Sequence, residues 1–156
     1  MIRNRCLGVL AILTLAVALP ALAAPNFAGE WKLNISKSDF GQMPPPNSRV
    51  DKITHVGVNL TVVSKQSREQ GDFTSESKYT TDGKECTNEI LGNQSKSTVK
   101  WDGDALVVDT KGKFQDNEFT VVSKWTLSPD GKTLTLNQHF SSSMGEGDSK
   151  IVLDKQ

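Results

Sequence analysis

The sequence predicts an all-β protein, a single antiparallel meander of about eight to ten strands closed or nearly closed into a barrel, behind an N-terminal signal peptide. Three observations carry that expectation. From Arg49 onward apolar residues recur at every second position, the spacing of a strand with one buried face. Turn dipeptides separate these runs: Asp82-Gly83, Asp102-Gly103 and Asp130-Gly131 are the clearest, and Gln70-Gly71 and Leu91-Gly92-Asn93 are weaker. Glycine supplies the positive φ that tight hairpins demand, and aspartate tolerates it. After the N-terminal segment, no stretch keeps a helical period over three turns.

The N-terminal segment reads as an export signal. Arg3 and Arg5 form a positive start, Leu7 to Leu19 an apolar run broken only by Thr14, and Ala21-Leu22-Ala23 a small-x-small cleavage pattern. Cleavage is expected after Ala23, with Ala24 as the second choice. A retained membrane anchor is the competing reading, but the run falls short of the roughly 20 residues that a spanning helix needs. Residues 1–23 are therefore set apart as a removed signal peptide, and 24–156 as one barrel domain with no integral membrane span. The short alanine-rich signal and the lack of disulfides suit a bacterial host, hence a periplasmic or secreted protein. In that setting the sequons at Asn34, Asn59 and Asn93 are chance matches.

Ten strands are expected, at about 27–33, 49–56, 59–66, 72–80, 84–91, 95–101, 104–111, 117–127, 132–141 and 148–154. Between the first two lies a Pro-rich loop, residues 34–48, which contains Pro44-Pro45-Pro46. Consecutive prolines cannot donate to a ladder and favour extended geometry. A loop of this length is either a lid or binding edge, or merely mobile.

Parity assigns the inward face. On the strand 117–127 it is Phe119, Val121, Ser123, Trp125 and Leu127; on the next, Leu134, Leu136, Gln138 and Phe140. By the same test Leu60, Val62, Ser64, Phe73, Ser75, Ser77, Tyr79, Val99, Trp101, Leu106, Val108 and Thr110 also point inward. Aligning the strands antiparallel gathers the large apolar groups at one end and the hydroxyls and amide from mid-height toward the other. This is the layout of a barrel with a dry floor and a polar mouth, wide enough inside for one small ligand. The expected cavity lining is Ser75, Ser77, Val108, Val121, Ser123, Leu136 and Gln138, above a floor of Trp31, Trp101 and Trp125. An open sheet bordering solvent would show a similar drift toward Ser and Thr, so both readings stand at this point.

The mature chain opens with Asn26-Phe27-Ala28-Gly29-Glu30-Trp31. Its Gly29-Glu30-Trp31 resembles the opening Gly-x-Trp motif of the lipocalins and fatty-acid-binding proteins, together the calycins. The resemblance implies that Trp31 closes one end of an antiparallel barrel and that a small hydrophobic molecule is carried inside. Ten strands in about 130 residues are more like the fatty-acid-binding branch. That branch has a helix-turn-helix lid where this chain has its proline loop. Lipocalins also stack a late arginine on the tryptophan, whereas no arginine follows Arg68, and Lys124 or Lys150 would replace it poorly because lysine lacks a planar group.

Other chemistries find little support. The chain has 18 basic and 18 acidic residues, and loss of Arg3 and Arg5 tips the remainder slightly acidic. With only Arg49 and Arg68 left as arginines and the lysines scattered, no nucleic-acid footprint forms. Two histidines, His55 and His139, are both expected at the surface and cannot make a zinc site alone. Cys86 is unpaired and expected to be a buried, inert thiol. No nucleophile–base pair can be assembled, so no enzyme activity, metal or cofactor is expected. The leading function is an exported lipocalin-like barrel binding a small hydrophobic or amphipathic ligand. The alternative is a protein-interaction module, such as an exported protease inhibitor using Pro25-Asn26-Phe27 and the Pro-rich loop.

Overall fold

The computed structural model describes residues 24–90, 92–114 and 116–156; the expected signal peptide lies outside them. The described chain forms ten strands: β1 (Gly29–Leu33), β2 (Ser48–Val56), β3 (Asn59–Arg68), β4 (Gly71–Thr80), β5 (Glu85–Ile90), β6 (Asn93–Asp102), β7 (Ala105–Phe114), β8 (Asn117–Leu127), β9 (Thr133–Ser142) and β10 (Gly145–Lys155). All belong to one sheet, in the order β4-β3-β2-β1-β10-β9-β8-β7-β6-β5. Every pairing is antiparallel. The meander expected from the alternation is therefore the observed fold, a nearly closed barrel.

The last join of the barrel is made by side chains. β4 and β5 lie side by side but share no ladder. Between them the Asn88 carboxamide stands in for a strand residue: its Oδ1 accepts the Lys78 N–H at 2.7 Å, and its Nδ2 donates to the Lys78 carbonyl at 3.0 Å. One turn of the pleat away, the Cys86 Sγ accepts the Thr80 N–H at 3.3 Å. The thiol expected to be buried is half-exposed, because it sits at the seam where β4 and β5 share no ladder to cover it.

Two differences from the expected elements have local causes. Phe27 is not in β1, which starts at Gly29. The Pro-rich loop also opens with a 3-10 turn, Ile35–Lys37, whose first residue is preceded by Asn34; the Asn34 Oδ1 accepts the Lys37 N–H at 3.1 Å. A short polar side chain at that position satisfies a donor that the turn would leave orphaned. Beyond it the loop is tied down. Asp39 bridges to Lys150, the Asn47 N–H donates to the Ser67 carbonyl at 2.9 Å, Pro46 is buried, and the Arg68 guanidinium donates to the Pro44 carbonyl at 3.3 Å. Among the described residues no helix-turn-helix follows β1, and this strapped loop stands there.

The core gathers at one end. Trp31, Leu60, Leu106, Leu134, Leu136 and Leu153 are almost wholly buried there, with Phe27 among them. Among the described residues, no helix is long and apolar enough to cross a membrane.

Candidate functional site

The floor is built around Phe27 and Trp31. The Trp31 indole N–H donates to the Phe27 carbonyl at 3.0 Å, which draws the chain ahead of β1 beneath the barrel. There the Phe27 ring lies 6.1 Å from His55, 6.1 Å from Trp101 and 6.2 Å from Trp125. These separations are those of attractive tilted and edge-on aromatic pairs. Trp31 is covered from outside by Lys155, whose ammonium sits 5.2 Å from the ring centroid. The cation on the tryptophan is therefore Lys155, not Lys124 or Lys150. Lys155 reaches it across Gly29, at φ +150°, where a β-carbon would stand 2.9 Å from the lysine Cε. The glycine of the Gly-x-Trp motif is needed for that crossing.

His55 is a correction to the expected surface position. It is buried on the floor, stacked 6.1 Å from Trp101, and its Nδ1 accepts the Phe27 N–H at 3.4 Å. That contact assigns the neutral ring's proton to Nε2. Desolvation lowers its pKa from the ordinary 6.5. The parity of β2 hid this placement, since it puts Asp51 and His55 inward and leaves Val56 exposed at 68%. His139 does lie at the surface, where Nδ1 meets the Asp148 carboxylate at 2.8 Å.

The same parity turns an ion pair into the barrel. Asp51 is 2% exposed and is held by Arg49 through two nitrogens: Nε at 2.9 and 3.1 Å, and Nη2 at 2.7 Å. Asp51, Ser64 and Ser75 occupy one register row across β2, β3 and β4. Arg49, Gln66 and Phe73 form the next row toward the mouth. Arg68 follows at the rim, donating to the Gln66 Oε1 at 3.3 Å. Tyr79 stands on the same wall, its hydroxyl pKa pushed up by burial and drawn partly back by a hydrogen bond with Ser77. Sequence reasoning missed Arg49 and Asp51 as interior residues. Their i, i+2 spacing on a strand was the available signal.

At the mouth, the strapped loop and the β9–β10 hairpin enclose a cleft of about 220 Å³. Its apolar walls are Phe40, Met43, Phe140 and Met144, and its inner edge reaches Gly147 and Ser149. Phe140 stacks on Phe119 at 6.2 Å. Phe119 in turn fills the space over Gly112, where a β-carbon would lie 2.6 Å from its Cζ. Across the cleft, Gly147 leaves its inward position empty; an added β-carbon would meet nothing within 4 Å.

The seven residues expected to line a cavity occupy inward positions but play different parts. Val108 and Leu136 are buried in the hydrophobic core. Ser123 accepts the Trp125 indole N–H at 2.8 Å and the Gln138 amide at 3.4 Å. Ser75, Ser77 and Val121 lie on the wall between floor and mouth. None of the seven borders the mouth cleft. Trp31, Trp101 and Trp125 sit together at the floor. Phe27, which the alternative reading names with Pro25 and Asn26, is fully buried. Among the described residues, no three His, Cys, Asp or Glu side chains gather as a metal-holding group.

The single ten-strand meander, the tryptophan-sealed floor and the side-chain seam define a calycin-like barrel. No protein-family model and no curated protein sequence matches the chain. Its fold is similar to zebrafish ileal bile acid-binding protein in complex with cholic acid, at TM-score 0.57 and 17% identity, covering 83% of this chain and 98% of that one. It is also similar to secretory abundant heat soluble protein 4 of Ramazzottius varieornatus, at TM-score 0.55 and 16% identity, over 87% and 99%. A third is the Schistosoma mansoni fatty acid binding protein in complex with arachidonic acid, at TM-score 0.50 and 14% identity, over 83% and 96%. At such identities the likeness is one of fold.

Proposed function

We propose that this chain is an exported, non-enzymatic carrier of one small hydrophobic or amphipathic molecule. The observation that carries the reading is the apolar cleft of about 220 Å³ at the mouth, lined by Phe40, Met43, Phe140 and Met144. Met43 and Met144 are 53% and 75% exposed, and unbranched thioethers adapt to ligands of varied shape. A concave apolar surface next to a few polar groups is the usual form of a small-molecule site. From the cleft, Phe140 and Ser149 lead to the inward rows below. The similar folds crystallised with cholic acid and arachidonic acid support the same use of the barrel. Export rests on the positive start, apolar run and Ala21-Leu22-Ala23 of the N-terminal segment.

Titration with the uncharged dye Nile red tests the carrier. Saturable fluorescence enhancement at one dye per chain is expected. Phe140→Asp, which places a charge in the cleft, should weaken binding at least tenfold while leaving the melting temperature within a few degrees. No saturable response, or an undiminished one in Phe140→Asp, sinks the reading.

A further inference from the structure

The interior ion pair bears on which molecule the barrel accepts, an inference that rests on the carrier reading above. On β2 and β3, three charged side chains face inward: Arg49, Asp51 and Arg68. Arg49 and Asp51 cancel each other, bound side-on at 2.7–3.1 Å with the carboxylate almost fully buried. Arg68, one row nearer the rim, is engaged by two neutral acceptors, the Pro44 carbonyl and the Gln66 side chain. The remaining polar groups of the wall are uncharged hydroxyls and amides. Ser64 and Ser75 continue the Asp51 row, while Ser123, Gln138 and Ser149 form a row on the opposite side.

We propose that the carried molecule is an uncharged amphipath whose polar end bears hydroxyl or carbonyl oxygens, and that Asp51 is the residue that turns carboxylates away. A guanidinium facing a barrel interior would ordinarily attract an anion. Here Nε and Nη2 are already occupied by Asp51, so a ligand carboxylate on the remaining Nη1 would stand within a few ångströms of a second carboxylate. The Asp51 carboxylate, itself almost fully buried, repels a second like charge at that separation. A hydroxyl or carbonyl oxygen accepts from the same Nη1 without that repulsion, and the surrounding serines can both donate and accept. Discrimination therefore comes from a repulsive group built beside the attractive one.

The test compares two ligands with the same tail. Equilibrium dialysis of the purified mature protein against oleate and against 1-monooleoylglycerol, each below its aggregation concentration at pH 7.5, gives both affinities directly. The glycerol ester should bind at least tenfold more tightly. Asp51→Asn should raise oleate affinity at least tenfold and change monooleoylglycerol affinity less than threefold. Oleate binding as tightly as the ester to the wild-type protein overturns the inference and leaves the carrier intact. Binding of neither overturns both. Should Asp51→Asn fail to fold, the wild-type comparison decides alone; a folded Asp51→Asn with no gain for oleate removes Asp51 from the role assigned to it.

Discussion

Gly29, Trp31 and Lys155 show how much one residue's absent side chain can settle. Gly29→Ala forces a β-carbon against Lys155 at a backbone φ of +150°. A loss of about 1–3 kcal/mol is expected from the strained conformation, read as a lower melting temperature. Lys155→Ala removes only the cation over the indole and should cost about 0.5–1 kcal/mol. If both variants melt alike, the close packing over Gly29 is not what the motif preserves. His55 supplies a pH dependence at the same scale. Its neutral form accepts the Phe27 N–H, and burial lowers its pKa below the unfolded value of 6.5. Below pH 6.5 the unfolded chain therefore binds more protons than the folded one at this site, and stability falls as pH drops toward the folded pKa. His55→Gln should flatten the denaturant midpoint between pH 6.5 and 5 relative to wild type. An unchanged slope would count against His55 as the titrating group.

At the scale of elements, the seam between β4 and β5 is the place where backbone pairing was replaced. Asn88→Ala leaves the Lys78 N–H and carbonyl without their partner. The expected cost is about 1–3 kcal/mol, with faster hydrogen exchange at the Lys78 amide and little change at Val108, whose strand is paired on both sides. Equal acceleration at both amides would mean global destabilisation and no local seam. The strands themselves were legible. The buried Leu106 and Val108 alternate with the less buried Val107 and Asp109 after the Asp102-Gly103 turn, so β7 follows from period and turn chemistry alone. Strand β2 was read less well, because Val50 and Val56 occupy outward positions while Arg49, Asp51 and His55 point in. Hydrophobicity assigns a face only where the inward set is the apolar one.

For the whole molecule, the expected loss on breaking the interior pair measures how deeply it is built in. Arg49→Ala strands a carboxylate that is 2% exposed, and should cost about 3–5 kcal/mol, seen as a large fall in denaturant midpoint. Replacing both partners with leucine should recover most of that loss, since an apolar pair needs no desolvation. Recovery of none would mean the guanidinium holds the wall in some other way.

Local regularity sufficed for the strand count, the antiparallel order, the inward leucines and the tryptophans placed at one end. These depend on a two-residue period and on turn residues, and both are written along the chain. Closure decided the rest. Bringing β1 against β10 sets Lys155 over Trp31 and lets the Asn34 amide donate to Asp154 at 2.6 Å across 120 residues. It also sets the proline loop over the β9–β10 hairpin to make the mouth cleft, and leaves Asn88 to bridge the final gap. Such contacts join positions distant in sequence through single side chains, so no repeating pattern announces them.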